Sequence, residues 1–454
     1  MQRSLIIIIA FITILMSPVI ALAQPAFPGA EGFGANSIGG RGGDVYVVTN
    51  LNDDGPGSLR AAVEAKGRRI VVFEISGTIA QKSVLTVRNP YLTIAGQTAP
   101  GGGICLRDNG LVIAADHVIV RFIRVRPGDN VSKEPDGMNL SAGKNVIIDH
   151  CSTSWSVDEN LSCSSYEGRL DNVTVQWCFI TESLHNSVHW KGPHGMGSLN
   201  IGGKGVKWSY HHNLYALNND RNPTAGNYQS YDVDPDVVTF DIRNNVVYDW
   251  GHSPAGHAAG HLGKIEMNLV NNYYKTGRDT RGRSIFGATV IESREYVSGN
   301  CMNGTYPEDP WSLILFTSNF SDKQKTDFKL SSPVHVALVK TDDAITAYAH
   351  VLVFGGATLP LRDAVDERIV NHVINGTGRI IDDEAEVGGW PELKSTPPPS
   401  DSDRDGMPDV YETSNKLNPR DPSDAKGTNV SPEGYTNIEV YINDLAANTI
   451  VGRN

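Results

Sequence analysis

Five short runs in the middle of the chain can be laid over one another: NVIIDHC ending at Cys151, NVTVQWC at Cys178, VKWSYHHN at Asn213, VTFDIRNN at Asn245 and IEMNLVNN at Asn272. Their last residues lie 27, 35, 32 and 27 positions apart, and HVIVRFI, ending at Ile123, stands 28 before Cys151. A period of this size marks a solenoid, whose units bury their apolar faces only by stacking on one another. From about residue 90 to about 280 the runs are β-branched, punctuated by Gly, Asn and Asp, with no helical periodicity. The pattern therefore predicts an all-β chain, a parallel β-helix. Equivalent residues of stacked coils sit about 4.8 Å apart, so Asn213, Asn245 and Asn272 are expected to form an inward ladder of amides. An antiparallel sandwich also has many short strands, but it gives no reason for Asn to recur where a strand ends. Beyond residue 281 the register fades, and Gly355 to Ile381 reads as a helix-containing end cap.

The unequal spacings measure loops inserted on some coils, and a site is expected where those loops gather. Composition limits what it binds. The 454 residues carry a net charge of −12, which argues against nucleic acid and anionic membranes as partners. An acidic ligand would need a cation to mediate its contact. Arg3, the apolar run Leu5 to Met16, Pro18 and Ala21-Leu22-Ala23 have the pattern of a cleaved export signal, too short for stable membrane insertion. Five dispersed cysteines (Cys105, Cys151, Cys163, Cys178, Cys301) make no CxxC pair, and their odd number leaves at least one thiol unpaired in a monomer.

The densest polar cluster runs from Asp136 through Asp149-His150 and Asp158-Glu159 to His185, His189, Lys191 and His194; a second holds His211-His212-Asn213 and Asp220-Arg221-Asn222-Pro223. Asp136 and Asp158 flank consecutive coils and can open onto one lateral face, where hard carboxylate oxygens suit Ca²⁺. Asp149 and His150 end a strand and are expected to satisfy the coil. His252, His257 and His261 are spaced too irregularly for a metal site and read as a solvated loop. The Trp residues serve equally as core or as sugar platforms.

The stretches IDHCSTSWSVDENLS, LHNSVHWKGPHGMGSLNIGG, HHNLY and DRNP, with LNDDGPGSLRAAV before them, resemble the pectate lyases of polysaccharide lyase family 1, over most of residues 26 to 385. The resemblance implies a right-handed parallel β-helix that cleaves polygalacturonate (pectin) by calcium-assisted β-elimination. It implies calcium carboxylates at Asp136 and Asp158, with Ser162 where the family has a further one and Glu159 able to compensate. It puts the proton-abstracting arginine at Arg221 and a substrate-binding lysine at Lys191, with His194 and His189 beside it. Thr224 stands where the family commonly has a second arginine. The chemistry accounts for these residue types: removing the C5 proton beside a uronate carboxylate builds enolate charge, which a bound cation and Arg or Lys donors stabilise. Arginine is normally locked in its protonated state, so the competing reading makes Arg221 a carboxylate clamp and gives the proton to His189 or His212.

A proline-rich stretch, residues 391–400, precedes a second calcium signal. Asp401, Asp403, Asp405, Gly406 and Glu412 match D-x-D-x-D-G-x₅-E, with Met407 offering its backbone carbonyl. NPRDPSD (418–424) supplies further oxygens, and GYTNIEVYINDL resembles the helix that closes such extracellular modules. The expected organisation is a signal at 1–23, a β-helix with its cap at 24–390, a linker at 391–400 and a small calcium-binding C-terminal module at 401–454. The leading reading is a secreted, monomeric pectate lyase. The alternatives are a β-helical glycoside hydrolase, which needs paired carboxylates, and a non-catalytic polysaccharide-binding β-helix.

Overall fold

A computed structural model describes residues 24–131, 134, 136–165, 167–230, 233–259 and 263–447. The export-signal segment 1–23 and His261 lie outside the described residues. Three stacks of short parallel strands wind into a solenoid, as the repeat predicts. One stack begins with Asp44–Val48 and Arg69–Phe73, passes through Met138–Asp149, Leu170–Gln176 and Lys207–His211, and ends with Ile265–Val270 and Arg294–Ser298. A nine-stranded stack runs from Gly77–Ala80 to Cys301–Met302. The third begins with Leu85–Val87, includes Leu161–Ser164, Leu199–Gly202 and Thr224–Asn227, and ends with Ile314–Phe316.

The corner closing each repeat explains the sequence pattern. Phe122, His150, Trp177, His212, Asn244 and Asn271 all have φ between 49° and 55°, the left-handed conformation that turns the chain in a single residue. The following residue points inward. Asn213 Nδ2 donates to Asn245 Oδ1, Asn245 Nδ2 to Asn272 Oδ1 and Asn272 Nδ2 to Asn300 Oδ1, each at 3.0 Å. On the outside, the rings of Phe122, His150, Trp177 and His212 stack at centroid distances of 4.9, 5.9 and 4.3 Å. Asp149 and His150 do serve the coil: Asp149 takes 2.7 Å hydrogen bonds from Arg121 and Gln176.

Two expectations need correction. The register does not end near 281: Asn300 extends the ladder, and strands continue to Phe316. Nor do the helices Ala344–Phe354 and Ala364–Asn375 cap an end. Val351, Leu352, Val365, Ile369 and Val373 pack on Phe179, Leu214 and Val246, so the helices cover the outer face of the nine-stranded stack. The short helix Leu59–Glu64 closes one end of the interior, and Trp311, Phe316, Phe320 and Phe328 crowd the other. All five cysteines are buried free thiols.

The C-terminal segment is mostly helical, with helices Asp409–Ser414 and Asn437–Leu445. Met407, Ala425, Ile438 and Ile442 pack on Ile70, Val72 and Ala95, the outward side chains of early coils. Among the described residues no helix is long and apolar enough to cross a membrane.

Candidate active site

The loops preceding the third stack's strands lie one above another. Gly137 N donates to Glu159 O, Asn160 N to Met196 O, Gly197 N to Asp220 O and Ser198 N to Arg221 O, so the turns at 136, 159, 196 and 221 are consecutive rungs. This stacking gathers residues far apart in sequence. Carboxylate oxygens of Asp136, Asp158 and Glu159 fall within 4.8 Å of one another. Arg221 Nη1 contacts Glu159 Oε1 and lies 3.9 Å from Asp158 Oδ1. Arg221 has φ 60°, a left-handed conformation that costs a non-glycine residue roughly 1 kcal/mol or more.

Burial sets the electrostatics. It pushes Asp136 up to about 6, with Asp158 adding to the rise against a 2.7 Å hydrogen bond from Asn139. Burial lowers the proton affinity of Arg221, opposed by the charges of Asp158 and Asp136. Asp158 Oδ1 and Glu159 Oε1 are buried, and among the described residues their only neighbours of opposite charge or donor character are the His194 and Arg221 side chains. A clustered, under-satisfied, all-oxygen donor set fits Ca²⁺.

His189 and His194 stack at 3.8 Å with both edges toward Asp158: Nε2 of His194 is 3.1 Å from Oδ1 and Nε2 of His189 is 3.5 Å from Oδ2. Lys191 is on the same loop but outside this cluster, its Nζ 5.2 Å from the ring of Trp190. Ser162 is buried, and its Oγ accepts from Leu199 N at 3.1 Å. Thr224 is likewise buried. His257 and His252 gather around Asp220, at 3.5 and 3.9 Å.

Sequence reasoning missed two features. Trp155, Trp208 and Trp250 are core, whereas Trp190 is 75% exposed, with Lys191 Nζ over its ring and the His189 ring stacked 6.2 Å away. Beneath the cleft, Asn160 Nδ2 donates to Asn218 Oδ1 and Asn218 Nδ2 to Asn222 Oδ1, both at 3.0 Å. This buried relay joins the turn carrying Glu159 to the one carrying Arg221. Abundant Asn in the loops was its only signal.

At the C-terminal segment, oxygens of Asp401, Asp403 and Asp405 cluster within 4.8 Å, as do those of Asp405, Glu412 and Asp424. Both Glu412 oxygens and one each of Asp403, Asp405 and Asp424 are buried without partners. Burial and the surrounding carboxylates push Asp405 up to about 7 and Glu412 up to about 8. The donor set suits Ca²⁺ and adds Asp424 to the motif. Met407 turns its side chain into the core and donates its own N–H to Asp405 Oδ1 at 2.8 Å.

A parallel β-helix with an arginine set against clustered carboxylates on its flank is the architecture of a polysaccharide lyase. The chain is 38% identical to the probable pectate lyase C of Aspergillus flavus over 434 residues, 93% of this chain and 94% of that protein. It is also 38% identical to the probable pectate lyase C of Emericella nidulans over 430 residues, 92% of each chain. The chain belongs to the pectate lyase family. Among solved structures, the cedar pollen allergen jun a 1 superposes with a TM-score of 0.51 at 18% identity, covering 72% of this chain and 92% of the allergen. A pectate lyase studied for its anti β-elimination mechanism gives 0.50 at 14% identity, covering 74% and 98%. At these identities the likeness is one of fold. No family model matches the chain.

Proposed function

We propose that the protein is an exported enzyme that cleaves polygalacturonate by calcium-assisted β-elimination, with Arg221 abstracting the C5 proton. The observation that carries this reading is the placement of Arg221, partly withdrawn from water, against Glu159 and 3.9 Å from Asp158 within the carboxylate cluster. Calcium held by Asp136, Asp158 and Glu159 would act as a Lewis acid on the uronate carboxylate. The chain's own residues do the rest. Burial favours release of a proton from Arg221, and its contact with Glu159 restrains the guanidinium. His189, Lys191 and His194 hold the substrate's acidic groups, and Trp190 offers a ring face to a sugar. As Arg221 takes the C5 proton, the C5–H electron pair forms the C4–C5 double bond, and the C4–O bond breaks with its electrons passing to the glycosidic oxygen, which is protonated from water.

The hydrolase alternative calls for two carboxyl groups on opposite sides of a scissile bond, whereas Asp136, Asp158 and Glu159 converge on one place with Arg221 against them. The C-terminal loop, with Asp401, Asp403, Asp405, Glu412 and Asp424, holds a second, structural calcium. On this reading the exported chain is a monomer that binds no nucleic acid. It consists of a β-helix with its flanking helices at 24–390, a linker at 391–400 and the calcium module at 401–454.

Incubation with polygalacturonate tests the proposal. It should release ultraviolet-absorbing unsaturated ends, lost on adding chelator and in Arg221→Ala. Products with saturated reducing ends would overturn it.

A further inference from the structure

We propose a further calcium-type cation site at Asp129, Asp383 and Glu384, distinct from the cleft and from the C-terminal loop. One carboxylate oxygen of each lies within 4.8 Å of the others. The segments are remote in sequence but held together by other contacts. Arg126 pairs with Asp363 and with Asp366, the latter at 2.8 Å, which docks the helix Ala364–Asn375, and Trp390 Nε1 donates to Arg126 O at 2.9 Å. The approach requires glycine at 128: a Cβ there would meet the Trp390 ring at 2.4 Å and Glu384 Oε1 at 3.1 Å.

Proximity of carboxylates alone would not make a site. The independent observation is Glu384, which is 4% exposed and whose Oε2 has no hydrogen-bond partner. Its Oε1 accepts from Asn130 Nδ2 at 3.1 Å. Burial pushes its pKa up; hydrogen bonding from the Glu384 and Asp129 backbone opposes the rise and the charges of Asp129 and Asp383 add to it. The neighbouring Arg379 is committed to Glu386. A bare buried carboxylate oxygen is relieved by a proton or by a cation, and a cation would also bridge it to Asp129 and to the exposed, helix-capping Asp383. The donors are all oxygens, which selects a hard ion with flexible coordination.

The position gives the ion a task. Asp129 precedes Glu134, whose Oε1 accepts from Trp190 N at 2.6 Å, and Asp136 of the cleft. Ser187 Oγ donates to Asp129 Oδ2 at 3.0 Å, and Asn186 N to Asp382 Oδ1 at 2.9 Å. A cation here joins both loops that border the cleft to the segment after the flanking helices.

Terbium is a suitable probe, because Trp390 is close enough to sensitise its emission. In calcium-free full-length protein, Glu384→Gln and Asp129→Asn should each remove part of the Trp-excited terbium emission and one equivalent of calcium in equilibrium dialysis. Trp390→Phe should lose that emission and keep the calcium. Asp136→Asn and Glu412→Gln should leave this component intact while emptying the other sites. Unchanged emission and calcium count in both Glu384→Gln and Asp129→Asn would overturn the proposal. Asp129 is only half-buried, so its variant serves if Glu384→Gln fails to fold. Formation of unsaturated product by the wild type, measured separately, tests the lyase reading.

Discussion

Asn218 is a residue whose polar atoms are all committed. Its Oδ1 accepts from Asn160 Nδ2, Ser183 N and Ser183 Oγ, and its Nδ2 donates to Ile180 O and Asn222 Oδ1. Asn218→Ala should cost about 2–3 kcal/mol in denaturant unfolding, through partners left buried and unpaired. It should also lower kcat by about 10- to 100-fold, because the turns bearing Glu159 and Arg221 lose their common tie. Normal kcat in a destabilised variant would limit Asn218 to a structural part. Asp136, Asp158, Glu159 and Arg221 could be picked out in the sequence as candidates because charged groups stand out within recognisable motifs. Asn160, Asn218 and Asn222 could not, since their work depends on which coil lies on which. Lys191 was matched through its loop, and its pairing with Trp190 was invisible because it is set by side-chain direction.

At the scale of the coil, the ladder carries the interior's polar balance. Asn245→Ala would leave Asn213 N, Tyr210 O and the Asn272 amide short of partners. A loss on the order of 3 kcal/mol in unfolding free energy is expected, read by denaturant titration. The ladder was legible because three coils end on Asn. Its last step was not, and the reason is physical. The run REYVSGN sets Glu295 at an inward position beside Met267, where other coils place apolar side chains, and has Gly299 at the left-handed corner. Asn271 fills the space a Cβ at Gly299 would need. Glu295 is fully buried with neither oxygen paired, and burial raises it from 4.5 to about 8. Folded chains therefore keep a proton that unfolded chains release above about pH 4.5. The stability this group contributes should be fully present below that pH, fall as pH rises toward 8 and level off above. Each tenfold difference in proton affinity is worth about 1.4 kcal/mol. Glu295→Gln should flatten the pH dependence of Tm across this window and raise Tm at pH 8. An unchanged profile would show that the group finds a partner in solution.

Over the whole molecule, the charge of −12 is unevenly placed. Acidic groups gather at the cleft and in the C-terminal loop, whereas a pocket of about 340 Å³ mixes both signs, with Arg278 and Arg281 beside Asp279 and Asp382. The C-terminal segment has helices of only 6 and 9 residues, too short to hold by themselves. Its apolar residues close over Ile70, Val72 and Ala95, and its rim pairs Arg41 with Glu439 at 2.9 Å and Lys426 with Asp44 at 2.6 Å. Between those contacts lie mutually repelling carboxylates with bare buried oxygens. On the proposed calcium reading, the ion converts that repulsion into the closure of the segment over the early coils. Chelation at neutral pH should then expose Met407, Ile438 and Ile442 together with Ile70 and Val72, increase binding of a hydrophobic dye and open the linker to protease. Glu412→Gln should reproduce this state with calcium present and make it insensitive to chelator, while Asp158→Asn should not. Equal protease resistance of wild type and Glu412→Gln, with and without calcium, would mean that apolar burial and the rim ion pairs hold the segment closed without the ion.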